Sequence, residues 1–174
     1  MALETALGGL AVTVGLIGCI TDIRTRRVPN VLTLGAVVAA LLVRGYFAGW
    51  LGVFSGVLGW LVGLMVLLPL FAMRGLGGGD VKLLAAFGAF VGVSTVLWTT
   101  AFGTIAGGVF AIILATRHHV WRRTWANVGL LLTHWRINGP VAVAGMTLED
   151  SQSVRLAYAI PLTVGLVAAL ALGK

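Results

Sequence analysis

Charged residues are scarce in this chain of 174 residues. Asp, Glu, Lys and Arg make up 10% of it, whereas an ordinary soluble domain carries about 25%. Hydrophobic residues make up 59%, and the mean hydropathy is +1.05. A single soluble core could not bury so much apolar surface. The composition therefore argues against soluble enzymes, disordered proteins and disulfide scaffolds, and it indicates a membrane protein whose solvent is lipid.

Residues that bind metals and cofactors are also few. The single cysteine, Cys19, excludes a disulfide framework and any CxxC metal site. The three histidines, His118, His119 and His134, have no carboxylate at metal-binding spacing. The sequence also has no glycine-rich cofactor signature. We therefore expect neither a metal nor a cofactor.

Long apolar runs account for most of the chain. A helix that crosses a membrane needs about 20 apolar residues, and six such segments fit the sequence. We expect an all-α polytopic membrane protein with about six transmembrane helices, forming a single domain over residues 1–174. The predicted spans are residues 4–21, 31–48, 50–72, 81–93, 95–116 and 156–173.

The distribution of basic residues predicts the orientation. Ten of the twelve Lys and Arg residues fall in the first, third and fifth connections, and only Arg44 and Lys174 fall on the other side. The positive-inside rule therefore places these three connections in the cytoplasm and both termini outside. The net charge of +7 then reflects topology, so we expect contacts with membrane lipids and no binding of nucleic acid.

The connection over residues 117–155 is the only long one. Its apolar residues follow helical spacing, which predicts an amphipathic helix lying in the cytoplasmic interface. Anchoring is the simpler role for this helix, and reception of substrate is the alternative. The stripe consists of Trp121, Trp125, Val128, Leu132 and Trp135.

Two of the five acidic residues adjoin apolar spans, where ionisable groups are costly and usually functional. Asp22 stands at the inner end of the first span, within the sequence DIRTRRVPN. Asp22 could take part in catalysis, or it could simply form an ion pair with a neighbouring arginine. In the second case Pro29 and Asn30 would only break the chain and cap the next helix.

Asp80 closes a glycine-rich segment just before the fourth predicted span. The glycines Gly77, Gly78 and Gly79 disfavour a helix and let another backbone approach closely, so we expect a flexible loop over residues 74–79. Asp80 could alternatively cap the fourth helix, with Lys82 as its counter-charge. The spacing of a phosphate-binding P-loop is absent.

The two aspartates are more informative together than separately. Topology, inferred from Lys and Arg alone, places both at the cytoplasmic face. Two carboxylates brought close together do not both ionise easily, so one keeps a proton while the other is charged. The charged group can take a proton from an attacking water, and the protonated group can polarise a peptide carbonyl.

These two segments resemble the motifs of type IV prepilin peptidases, which are intramembrane aspartic proteases of the GxGD class. The segment from Asp22 to Asn30 resembles the DxRxxxxPN motif, and the segment from Gly77 to Lys82 resembles the GxGDxK motif. The stretch from Tyr158 to Pro161 resembles a proline- and tyrosine-containing motif in the last helix of the family, with Ala157 in place of its first proline. The resemblance covers nearly the whole chain.

The resemblance implies that Asp22 and Asp80 are the catalytic pair, in a multi-pass protein of the bacterial inner membrane. The substrates would be prepilins or pseudopilins with a short basic leader, cleaved at the cytoplasmic boundary. Arg24 is the arginine expected closest to the site. The residues expected to bind substrate or shape the site are Arg24, Pro29, Asn30, Gly77, Gly78, Gly79 and Lys82.

The longest members of that family carry a four-cysteine zinc loop and also N-methylate the mature pilin. This sequence has one cysteine and begins at the span before Asp22, so it resembles the short, Tad-type form that processes Flp-like prepilins. Nothing in it supports methyltransferase activity.

Two other functions stay open. A small proton or ion translocator could carry protons on the two aspartates, and a non-enzymatic subunit of a pilus or secretion machine would need neither. Both are less favoured than a peptidase. Against the translocator, transporters usually place charges near mid-membrane between internal repeats. Here both acids lie at one face and no repeat is visible.

Overall fold

The structure, a computed structural model, describes residues 2–73, 75–117 and 157–173, with isolated positions between 126 and 139. Within these residues the chain forms helices and no strand. The helices are α1 (Ala2–Thr25), α2 (Asn30–Ala72), α3 (Gly78–Arg117) and α4 (Ala159–Ala171).

Among the described residues, α1, α2 and α3 are long and apolar enough to cross a membrane, and α4 is a shorter apolar helix. The all-α membrane class is therefore confirmed. The prediction of six separate helices is wrong, because two pairs of predicted spans each lie in one helix. Spans 31–48 and 50–72 lie in α2, and spans 81–93 and 95–116 lie in α3. Each pair is continuous: one glycine, Gly49 in α2 and Gly92 in α3, leaves the helical conformation, and no loop intervenes.

The first of these joints is Gly49, whose backbone is not helical, with φ of 60° and ψ of −152°. A positive φ of this kind is accessible to glycine without steric cost. A side chain at Gly56 would lie 2.8 Å from Cδ2 of Leu41. In a straight helix residues 41 and 56 would be more than about 20 Å apart. Helix α2 therefore folds back on itself, and we call its halves α2a (30–48) and α2b (50–72).

Helix α3 has the same device at Gly92, where φ is 79° and ψ is −178°. Tyr158 packs against Gly107 and also interacts electrostatically with Asp80. A straight helix would separate residues 80 and 107 by about 40 Å. The chain therefore reverses at Gly92 as well, giving α3a (78–91) and α3b (93–117).

Segment α3a is the centre of the bundle, and residues 83–90 are all buried. The backbones of Gly59 in α2b and Gly88 in α3a touch directly, which a side chain on either residue would prevent. On another side, Gly18 of α1 packs against Leu83. Small residues at such contacts are typical of helices packed in membranes. The apolar side chains on the outer surface, such as Leu16 and Leu42, then face lipid.

The loop predicted over residues 74–79 is shorter than expected, because α3 already begins at Gly78. The N–H of Asp80 donates to the carbonyl oxygen of Gly77 at 3.2 Å, which closes the first turn. An acidic residue in a first turn also complements the helix dipole. Helix α4 is shorter than the predicted span 156–173. Most of the predicted interfacial helix, including residues 118–125 and 140–156, lies outside the described residues and stays a prediction.

Candidate active site

Asp22 and Asp80 lie at the same end of the bundle. Asp22 is in the last turn of α1, and Asp80 is in the first turn of α3. Asp22 is 8% exposed and Asp80 is half-buried. The two carboxylates are close enough to interact electrostatically. The topology produces this proximity, because α1 runs towards this end, α2a and α2b run away and back, and α3a starts there.

The two aspartates line one cavity of about 440 Å³. Every residue that the sequence singled out for the site lines it, except Arg24. Arg24 is exposed and does not line the cavity. The lining residues are Asp22, Arg26, Arg27, Val28, Pro29, Asn30, Gly77, Gly78, Gly79, Asp80 and Lys82.

The turn after α1 explains why Arg26 and Arg27 take the place expected for Arg24. Arg26 has a φ of 55°, in the left-handed region that non-glycine residues seldom occupy. Its N–H donates to the carbonyl oxygen of Asp22 at 2.9 Å, and the hydroxyl of Thr25 donates to the carbonyl oxygen of Arg27 at 3.1 Å. The chain therefore turns back over the end of α1, and Arg26 becomes an electrostatic partner of Asp22.

The same turn presses Val28 onto the glycine-rich segment. A side chain at Gly79 would lie 3.1 Å from Cβ and 3.2 Å from the backbone nitrogen of Val28. Contacts this short are unfavourable, so the docking of the turn depends on the missing side chain. This close approach is the structural reason for a glycine next to Asp80.

Each carboxylate also accepts a hydrogen bond from a backbone N–H. The N–H of Ala159, the first residue of α4, donates to the carboxylate of Asp22. The N–H of Gly77 donates to the carboxylate of Asp80. The second bond is the return half of a capping box, so Asp80 does cap α3, as one interpretation of the sequence proposed. Both bonds restrict the orientation of the carboxylates.

Lys82 joins the starts of two helices. Its Nζ donates to Oδ1 of Asn30 at 2.9 Å. Asn30 therefore does not act as the cap considered for it, and α2 begins after Pro29 without a side-chain cap. Pro29 and Asn30 instead line the cavity, as the three glycines do.

Helix α4 contributes to the site in a way that the residue patterns did not predict. Besides Ala159, it brings the preceding residue Tyr158, whose hydroxyl is hydrogen-bonded to Thr104 and lies within electrostatic range of Asp80. A tyrosine followed by a proline at the start of an apolar run is a usable signal for a helix start. That signal marks the helix start and gives no information on which other helices it contacts.

The chemistry that the described residues offer is that of two carboxylates in a cavity at the end of the bundle. Among these residues, no three His, Cys, Asp or Glu side chains come together as a metal-binding set. The cavity is rimmed by the cationic groups of Arg26, Arg27 and Lys82. Such an arrangement suits general acid–base catalysis at an uncharged bond of a substrate.

Comparison with protein families gives a match to the model of the type IV leader peptidase family over residues 9–112. No curated protein and no solved structure matches significantly. The matched region is more than half of the chain, and it contains both aspartates and every residue that lines the cavity. The chain therefore belongs to the type IV leader peptidase family, and it is a membrane protein of a protease family.

Proposed function

We propose that the protein is an aspartic endopeptidase that removes the leader from type IV prepilins or pseudopilins at the cytoplasmic membrane boundary. The observation that carries the proposal is the pairing of Asp22 and Asp80 on one cavity. Membership of the leader peptidase family supports the reaction class, and the two carboxylates supply an acid and a base.

The reaction would use one charged and one protonated carboxylate. The charged group takes a proton from a water molecule as its oxygen attacks the scissile carbonyl carbon. The protonated group transfers its proton to the carbonyl oxygen, which becomes a hydroxyl of the tetrahedral intermediate. When the C–N bond breaks, the first group gives the proton that it took from water to the leaving amine. The second group takes back a proton from a hydroxyl of the intermediate as the product carboxyl forms, so the pair again holds a single proton.

The position of the cavity at the end of the apolar helices suits a substrate that is itself anchored in lipid. We propose that α1, α2a, α2b, α3a, α3b and α4 each run across the bundle, with the cavity on the cytoplasmic side. The arginines of the turn after α1 and Lys82 would then obey the positive-inside rule. In this orientation the protein lies in the inner membrane, and both of its termini are on the outer side.

The test is reconstitution of the purified protein in liposomes with candidate prepilins from the same genome, reading leader loss by mass spectrometry. Asp22→Asn and Asp80→Asn should each abolish cleavage while the protein still inserts. Asp150→Asn, in the long connection, makes the same chemical change away from the apolar spans and should leave cleavage intact. Cleavage by either site variant at the wild-type rate would overturn the proposal.

The same liposomes separate this function from the alternatives. A translocator would give a pH-dependent flux that depends on the aspartates without any proteolysis. A non-enzymatic assembly subunit would support pilus assembly in cells that carry the double Asp→Asn variant. Either result, with intact prepilin recovered, would replace the peptidase assignment.

A further inference from the structure

Arg44 is one of only two basic residues on the predicted outer side of the protein. It lies at the end of the bundle opposite the aspartates. In the sequence it falls near the outer end of the predicted span 31–48 and counts only as a basic residue of the outer side. In the structure its side chain is buried, with 5% of the residue exposed. A buried guanidinium inside an apolar bundle is costly unless its donors are satisfied.

The donors of Arg44 bind α3a. Its Nε donates to the carbonyl oxygen of Ala89 at 3.0 Å, and its Nη2 donates to the carbonyl oxygen of Phe90 at 2.7 Å. These carbonyls belong to the last turn before the reversal at Gly92, so they lack partners within the helix. The partial negative charge at this helix end also attracts a cation.

The length of α3a explains the need for such a group. At 1.5 Å per residue, segment 78–91 is about 20 Å long, whereas the hydrocarbon core of a bilayer is about 30 Å thick. In the membrane placement proposed above, α3a begins at the cytoplasmic boundary and therefore ends within the apolar region. Carbonyls left unsatisfied there would be strongly destabilising, because the apolar region has no water to bond them. Arg44 supplies the missing donors.

The same guanidinium also holds α1. Its Nη2 lies 3.3 Å from Oε2 of Glu4, and its Nη1 lies 3.5 Å from Oε1. Glu4 is in the first turn of α1. One side chain therefore bonds the start of the helix that ends near Asp22 and the end of the helix segment that starts near Asp80.

We propose that Arg44 is a positioning residue for the aspartate pair: by joining the far ends of α1 and α3a, it fixes the axial register of the two helices that carry Asp22 and Asp80. The proposal rests on the proposed function for its catalytic consequence. A rigid helix passes an axial displacement at one end to the other, and a displacement of about 1 Å at a catalytic group can cost about a hundredfold in rate.

The first experiment measures the register without any cleavage. In a Cys19→Ser background, Val28→Cys and Gly79→Cys place two thiols beside the aspartates, where Val28 Cβ lies 3.1 Å from the position of a Gly79 side chain. This spacing is below the Cβ–Cβ range of a disulfide, about 3.5–4.5 Å, so Gly79→Cys itself shifts the turn by a few tenths of an ångström. All rates are therefore compared within this one double-cysteine background. The rate of disulfide formation under mild oxidant is then compared with and without Arg44→Gln, Arg44→Lys and Glu4→Ala.

We expect Arg44→Gln to slow disulfide formation at least about fivefold, with smaller decreases for Arg44→Lys and Glu4→Ala. Leu166→Ala removes a fully buried side chain from α4 and serves as the control for lost stability. Thr13→Ala is the control for an exposed change on α1. Wild-type rates in Arg44→Gln, Arg44→Lys and Glu4→Ala alike (the clamp variants), or an equal decrease in Leu166→Ala, would overturn the proposal. If the Arg44→Gln protein does not accumulate in cells, the disulfide rates of Arg44→Lys and Glu4→Ala test the proposal.

The second experiment measures prepilin cleavage. Because the cavity residues are unchanged, the clamp variants should lower kcat, by about tenfold or more for Arg44→Gln, and change KM less than about twofold. A rise in KM at constant kcat would contradict the assignment. If the wild-type protein cleaves no prepilin while the disulfide rates respond as expected, the proposed function fails and the structural role of Arg44 stands.

Discussion

The backbone N–H of Ala159 donates a hydrogen bond to the carboxylate of Asp22, so the first residue of α4 is bonded to the last turn of α1. The two residues are far apart in sequence, and this bond brings the last apolar helix into the candidate active site. The preceding residue, Tyr158, is close enough to Asp80 to interact with it electrostatically. The start of α4 therefore contacts both halves of the aspartate pair.

This arrangement predicts a role for the hydroxyl of Tyr158. Tyr158→Phe removes the hydrogen bond to Thr104 and keeps the ring that packs against Gly107. This bond holds the residue that precedes α4 beside the aspartate pair, and a net hydrogen bond contributes about 0.5–1.5 kcal/mol to stability. We therefore expect cleavage to fall, by no more than about tenfold. Tyr46→Phe is the matched control, because Tyr46 is 85% exposed at the other end of the bundle. Equal rates for the two variants would show that the hydroxyl plays no part.

The contact between Val28 and Gly79 predicts a substitution and its rescue. A methyl group at Gly79 would lie 3.1 Å from Val28 Cβ, so Gly79→Ala should displace the turn after α1 and lower prepilin cleavage by about tenfold or more. Val28→Ala shortens the opposing side chain, and the double variant should recover part of the activity. Gly35→Ala, which has open space around it, should cleave normally. Failure of the double variant to improve on Gly79→Ala would contradict the steric explanation.

The glycine contact between α2b and α3a predicts a loss of stability. A side chain at Gly59 would clash with the backbone of Gly88, and neither backbone can move without separating the helices. Overpacking of this kind costs about 1–3 kcal/mol, so Gly59→Ala should unfold at a lower temperature in detergent. Gly9→Ala, on an open face of α1, is the control. Equal melting temperatures for both variants would argue against the direct backbone contact.

The sequence predicts the parts of this molecule that depend on local chemistry. Apolar length and the distribution of Lys and Arg predict the helical class, and the scarcity of acids directs attention to Asp22 and Asp80. The positions of the two reversals are also close to predicted boundaries, since the spans were separated at residues 49 and 94. That a single glycine turns the chain was not predictable, because hydropathy does not report φ and ψ.

The interactions missed from the sequence join residues far apart along the chain. Arg44 looks like a topology marker in the sequence, and only the packing of α3a shows which carbonyls it binds. The bond from Ala159 to Asp22 uses a backbone group, which carries no residue-specific signal. Arg24 was expected nearer the site than Arg26, since the left-handed turn at Arg26 could not be deduced from composition.

The proximity of Asp22 and Asp80 predicts a bell-shaped dependence of cleavage on pH. The proposed mechanism needs one charged and one protonated carboxylate, so the active form holds a single proton on the pair. As the pH falls through the lower apparent pKa of the pair, the charged carboxylate gains a proton and the base is lost. As the pH rises through the upper apparent pKa, the remaining proton leaves and the acid is lost.

The measurement is kcat for prepilin cleavage in liposomes buffered at the same pH on both sides. Circular dichroism over the same range serves as the control, since loss of fold would also reduce the rate at either extreme. A profile with one limb only, while the protein stays folded, would mean that a single carboxylate titrates in the reaction. In that case Asp22 and Asp80 do not share their proton, and one of them acts only in binding.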